Sequence, residues 1–178
     1  ASDFVVLYAG AHGVSNDLET VLRAAELLKE RSEIRFVFVG DGKEKPNLIQ
    51  LAKDLSLRNV TFKSPVPKAE MAEILAASDC CVAILKNIPM YRLTYPNKVF
   101  DYMAAGKPVL LAIGGVVAEV IEAENAGILV EPGDPQSLAN GVVAILQNPD
   151  RIITMGENGQ RAIQDRYSRD FNSTRFLR

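Results

Sequence analysis

Tryptophan is absent from this 178-residue chain, histidine occurs once and cysteine twice. The two cysteines, Cys80 and Cys81, are neighbours, where an ordinary disulfide is sterically disfavoured. No third cysteine offers either a partner, so a reducing, cytoplasmic setting is expected. One histidine and two adjacent cysteines make a poor ligand set for zinc, and the chain has no Asp-x-Asp pair, so no metal site is expected. No apolar run approaches the roughly 18 residues of a membrane span, and no basic-then-apolar leader opens the chain. Charge of neither sign is in excess, with 20 Lys+Arg against 22 Asp+Glu. A dedicated nucleic-acid binder is usually strongly basic, so no nucleic-acid partner is expected. Internal repeats, low-complexity segments and linkers are missing too.

What is present is aliphatic. A hydrophobic content of 48% excludes disorder, and the length suits one domain. Short, largely β-branched runs occur at Phe4–Tyr8, Ile34–Val39, Val60–Phe62, Cys80–Leu85, Val109–Ile113 and Gly127–Val130. Most are apolar throughout, as in a sheet buried on both faces. Helical patterns follow them. Leu18, Val21, Leu22, Ala25 and Leu28 share one face, and Asn16 with Glu19 has capping-box spacing. Leu48, Leu51 and Leu55 mark a second helix; Met71, Ile74 and Leu75 a third; Val99, Phe100 and Met103 a fourth, ended by Gly106 and Pro108. Val117, Val120 and Ile121 mark a fifth. Asp134-Pro135 reads as N-cap and first position of a sixth, and a seventh runs from Arg151 to about Arg166. This alternation predicts an α/β fold: a doubly wound parallel sheet of about six strands with helices on both faces, over residues 1–166. The last 28 residues carry six Arg and three acids, which reads either as a solvated helix face or as a segment that lies on another surface.

In such a sheet, ligands bind at the carboxyl ends of the strands. The first strand end offers Gly10 and Gly13 for a tight turn, with the lone histidine, His12, between them. The second offers Gly40-Asp41-Gly42, a turn signal before it is a phosphate loop. The third is followed by Ser64-Pro65-Val66-Pro67-Lys68, whose prolines stiffen a loop able to read the edge of a flat base. The richest segment is Tyr95–Val109. A helix starts near Pro96-Asn97, and its first turn is a ready anion site. Lys98, a cation where the helix dipole disfavours one, implies a negative partner. Asp101, three residues on and expected on the same face, has the chemistry to accept two hydroxyl hydrogens from a ribose diol; a plain surface ion pair between the two is the competing reading.

These blocks, in order, are a strand ending in Gly10, then Val39-Gly40-Asp41-Gly42, then Lys98-x-x-Asp101-Tyr102-Met103-Ala104-x-Gly106-x-Pro108-Val109, and Pro132-Gly133-Asp134. With Asp79, Gly114-Gly115, Glu119, Gly127 and Val130, they resemble the carboxyl-terminal domain of retaining glycosyltransferases of the GT-B fold. The nearest group is family 4, the bacterial cell-surface polysaccharide type. The resemblance covers nearly the whole chain. It implies a Rossmann-like half that binds a nucleotide-sugar donor, most simply a UDP-sugar, facing a second domain that holds the acceptor and is not in this sequence. It also implies transfer to an acceptor hydroxyl with retention of anomeric configuration. The tail, 167–178, would then cross back onto that second domain, and a lipid-linked acceptor would place the whole enzyme at the inner face of a membrane.

The family's acidic motif has two acids eight positions apart. Asp101 holds the second place, which serves the ribose; the first falls on Leu93. Arg92 with Pro96-Asn97-Lys98 matches a variant related to aminosugar transferases. Position 11, where the family usually offers an arginine, is Ala11. The resemblance therefore assigns the leaving diphosphate to Lys98 and Arg92 as the catalytic cations, with Lys86 next. The remaining donor-binding set is Asp101, Asn97, Gly10, His12, Val66 and Pro67, with no cofactor and no metal. A truncated sugar-nucleotide epimerase of the same architecture and a non-catalytic nucleotide-binding module are the alternatives.

Overall fold

The computed structural model describes residues 3–167. Six strands alternate with seven helices: β1 (Phe4–Ala9), α1 (Leu18–Leu27), β2 (Ile34–Val39), α2 (Lys45–Asp54), β3 (Val60–Lys63), α3 (Lys68–Ala76), β4 (Cys80–Ile84), α4 (Asn97–Ala104), β5 (Val109–Ala112), α5 (Val116–Glu124), β6 (Gly127–Leu129), α6 (Pro135–Leu146) and α7 (Pro149–Ala162). Two short 3-10 turns lie at Val14–Asn16 and Pro89–Leu93, and a π turn, Ile163–Tyr167, extends α7. The tail from residue 168 lies outside the described residues.

The strands form one parallel sheet in the order β3-β2-β1-β4-β5-β6. The chain winds outward from β1 to β3, then returns to the far side of β1 with β4. This reversal opens a crevice between the carboxyl ends of β1 and β4, where an open α/β sheet binds its ligand. Alternate residues of each strand feed two cores. Val6, Tyr8, Phe36, Phe38, Val82 and Ile84 pack under α1, α2 and α6. Leu7, Ala9, Cys81, Ala83, Val109 and Leu111 pack under α3, α4, α5 and α7. Strands β4 and β5 are buried at every position, which is why they read as unbroken apolar runs. The edge strand β3 alternates throughout.

Three polar contacts lock this frame. The Asp79 carboxylate accepts from the backbone N–H of Val5 at 2.7 Å, holding β4 against β1. The Lys107 ammonium donates to the carbonyls of Ala76 and Ser78 at the end of α3. Asp134 caps α6 as the sequence indicates, accepting from the N–H groups of Gln136 and Ser137. The Asn16–Glu19 capping box does not form. Helix α1 begins one residue later than that spacing implies, behind Asp17, which has φ +44° and accepts from the Thr20 hydroxyl. The Asn16 side chain is engaged elsewhere, by a lysine from α4.

Candidate functional site

The end of β1 is gripped from α4. Around this helix Tyr102 lies about 40° from Lys98, four residues being just over one turn. Both reach β1, while Val99 and Met103 enter the core beside them. The buried Tyr102 hydroxyl accepts from the N–H of Ala9 and donates to its carbonyl, at 3.0 and 3.1 Å. The Lys98 ammonium donates to the Tyr8 hydroxyl at 2.7 Å and to Asn16 Oδ1 at 3.3 Å. It stands 4.2 Å from the centroid of the Tyr8 ring. The same Tyr8 hydroxyl donates to the carbonyl of Ala11 at 2.7 Å, so one phenol orients both the ammonium and the turn beneath it.

Gly10 lies directly under the Lys98 ammonium: a Cβ at residue 10 would come within 3.0 Å of Nζ. Burial lowers the Lys98 pKa to about 8 and raises that of Tyr8. No ion pair among the described residues includes Lys98. A largely desolvated ammonium without a carboxylate is costly. At the switch point of the sheet, this arrangement suits an anion. The expected pairing of Lys98 with Asp101 on one face is not what the helix presents. Lys98 turns inward along the flank of the core, while Asp101 and Asn97 face outward, exposed.

His12 is fully buried. Its ring packs against Tyr8, Phe38 and Phe62 with centroids 5.8 to 6.3 Å apart, and neither ring nitrogen has a hydrogen-bond partner. Burial, with Lys45 adding to it, lowers its pKa, so the imidazole is neutral. In this arrangement His12 supports the loop from beneath and presents no surface to the crevice. Its backbone does the visible work, donating to the carbonyl of Asp41 and accepting from the N–H of Glu44. The two glycine turns thus touch. Gly40 has φ +143°, and a Cβ there would fall 1.9 Å from the carbonyl oxygen of Gly10. Beside this contact runs a groove of about 290 Å³ lined by Gly10, Gly40, Asp41, Pro65, Val66 and Met71. It gathers the ends of β1, β2 and β3 into one surface. Val66 is on it; Pro67 instead forms the N-cap of α3, and Pro65 takes the lining place.

On the other side of β1, the loop after β4 folds over the crevice. The N–H of Lys86 donates to the carbonyl of Ser15 at 2.9 Å and the Tyr91 hydroxyl donates to Ser15 Oγ at 2.7 Å. Ser15 and Asn16 therefore tie this loop and Lys98 to the same 3-10 turn. The Lys86 side chain is exposed and borders a cleft of about 280 Å³ beside Asp17, Glu19 and Glu44. Arg92 is exposed and belongs to a different strand end, since a Cβ on Gly115 would fall 2.0 Å from the Arg92 carbonyl oxygen. Lys98 is thus anchored at β1 and Arg92 over the β5–α5 turn. Leu93 is 78% exposed. Among the described residues, no three His, Cys, Asp or Glu side chains gather in a metal-binding cluster.

The sequence reading singled out Lys98 and Gly10, which meet. It missed Tyr8, Asn16 and Tyr102, the residues that hold Lys98 and the turn. For Tyr102 the signal was its place in the Lys98-to-Pro108 segment; for Tyr8, a lone hydroxyl at the end of an apolar strand.

Comparison with known proteins agrees with this fold. An uncharacterised glycosyltransferase of Methanocaldococcus jannaschii is 27% identical over 167 residues, 93% of this chain and 42% of that one. A D-inositol 3-phosphate glycosyltransferase of Thermobispora bispora is 26% identical over 168 residues, 88% of this chain and 38% of that one. The chain thus spans about two-fifths of these relatives. Among solved structures, Anabaena HepE in complex with UDP-glucose superposes with a TM-score of 0.82 at 21% identity, over 99% of this chain and 49% of that one. That likeness identifies the sheet and its helices as the Rossmann-like half of a GT-B fold. The family model described as glycosyl transferases group 1 matches residues 3–148, and the chain belongs to that family.

Proposed function

We propose that this chain is the donor-binding half of a retaining glycosyltransferase that takes its sugar from a UDP-sugar. The observation that carries the reading is the Lys98 ammonium: half-buried, without a carboxylate partner, and held by Tyr8 and Asn16 over Gly10 at the switch point of the sheet. A diphosphate is the anion that suits it. With the phosphates there, the nucleoside extends along the strand ends into the groove of Gly40, Pro65 and Val66. The sugar extends the other way, toward Lys86 and Arg92. Asp101, exposed one turn into α4, accepts from the ribose hydroxyls.

In this reading the protein stabilises charge that builds on the diphosphate as the glycosyl bond breaks. Lys98 and the first-turn amides of α4 supply the field, with Arg92 reaching in from the far strand end. Fixing the base and ribose positions the donor. Leu93 offers no acid to the sugar. No nucleophile is assigned within the chain, and the acceptor is assigned to a second domain. The likeness of this fold to a structure holding UDP-glucose supports the donor class.

The test is calorimetric titration with UDP, GDP and ADP, with and without a chelator, followed by assay for sugar release and epimerisation. Tightest binding of UDP, unaffected by chelator and without turnover, is the expected result. Absence of nucleotide binding contradicts the reading, and inversion at a sugar carbon would establish an epimerase in its place.

A further inference from the structure

The face formed by α2 and the edge strand β3 lies beyond the nucleoside end of the crevice. Residues 43–68 hold six cations against two acids, although the whole chain is slightly acidic. None of the six takes part in an ion pair among the described residues. Lys45 alone is engaged, through the backbone carbonyls of Gly40 and Lys63. Two shallow grooves of about 490 and 420 Å³ run side by side here and share Ile49 and Lys53. Lys43, Lys45 and Lys53 rim the first over Pro46; Lys53 and Arg58 rim the second over Leu57, Val60 and Phe62. The one carboxylate on the rim, Asp41, accepts from the N–H of Gly42.

We propose that this face docks on an anionic lipid surface. Unpaired cations around half-buried apolar floors match the charge and the amphiphilic character of a bilayer's headgroup layer. Strand addition by a peptide fits less well, because β3 is four residues long and ends in an edge lysine, Lys63, the usual guard against such pairing. An RNA partner fits less well because the floors are mainly aliphatic, and their one aromatic side chain, Phe62, is half-buried and already stacked on Phe38. The first groove shares Asp41 with the nucleoside groove, so docking would set the mouth of the crevice beside the membrane. The proposal stands whether or not the crevice binds UDP.

The experiment is co-sedimentation of the 178-residue chain with phosphatidylcholine vesicles, alone and mixed with phosphatidylglycerol. Partition into the mixed vesicles only, lost at high salt, is expected. K53Q and R58Q, both at exposed positions, should each weaken it about fivefold, the share of one basic residue near an anionic surface. K98M should leave it unchanged. No partition into the mixed vesicles, equal partition by the K53Q/R58Q double variant, or tighter binding to single-stranded RNA than to vesicles would each overturn the proposal.

Discussion

Lys98 concentrates the conflict between stability and function in one side chain. Its folded pKa, about 8, lies below the ordinary lysine value of 10.5. Below about pH 8 the ammonium is charged in both folded and unfolded chains, and the cost of burying it is fully felt. Between about 8 and 10.5 the folded chain gives up the proton first; the unfolded chain then binds more protons, and stability rises with pH. Lys98→Met should therefore stabilise the free protein by about 1–3 kcal/mol at pH 7, an advantage that shrinks toward pH 10 in denaturant titrations. A diphosphate beside the ammonium restores its charge, so UDP binding should take up a proton near pH 8 and weaken at higher pH. Asp101→Ala should weaken UDP by about 1–3 kcal/mol, the range for a lost charged acceptor, and calorimetry would show it. Residue type was legible at both positions. Direction was not: a three-residue spacing does not say which of two neighbours flanks the core. His12 was equally opaque, because nothing in its local sequence reveals that Phe38 and Phe62, from two other strands, close over it.

Elements were read more completely than residues, for a physical reason. Strands buried on both faces, such as β4 and β5, need unbroken apolar runs, and short apolar runs located all six strands with no end displaced by more than one residue. Helix α6 was legible to its cap because Asp134-Pro135 is a local signal. The start of α1 was not, because a distant lysine takes the Asn16 side chain and the helix begins behind Asp17 instead. The contact between the β1 and β2 turns is likewise tertiary. Gly40→Ala places a methyl where the Gly10 carbonyl already stands, in a backbone conformation that L residues rarely adopt. It should destabilise the chain by roughly 3 kcal/mol or more and loosen the turn under Lys98; thermal melts with and without UDP measure both effects.

For the whole molecule, the strand order sets the strand ends of β3, β2, β1, β4 and β5 side by side. In the proposed reading the base lies over β2 and β3, the phosphates over β1 and α4, and the sugar toward β4 and β5, so that one extended donor would span the reversal of the sheet. The phosphate position is the centre of this account, and uridine tests it by lacking only the phosphates. UDP and uridine should be titrated into the wild-type chain and into Lys98→Met. A charge-assisted contact contributes about 1.5–3 kcal/mol, so UDP should lose roughly tenfold or more while uridine is unchanged. Equal losses for the two ligands, or an unchanged affinity for UDP, would contradict the account.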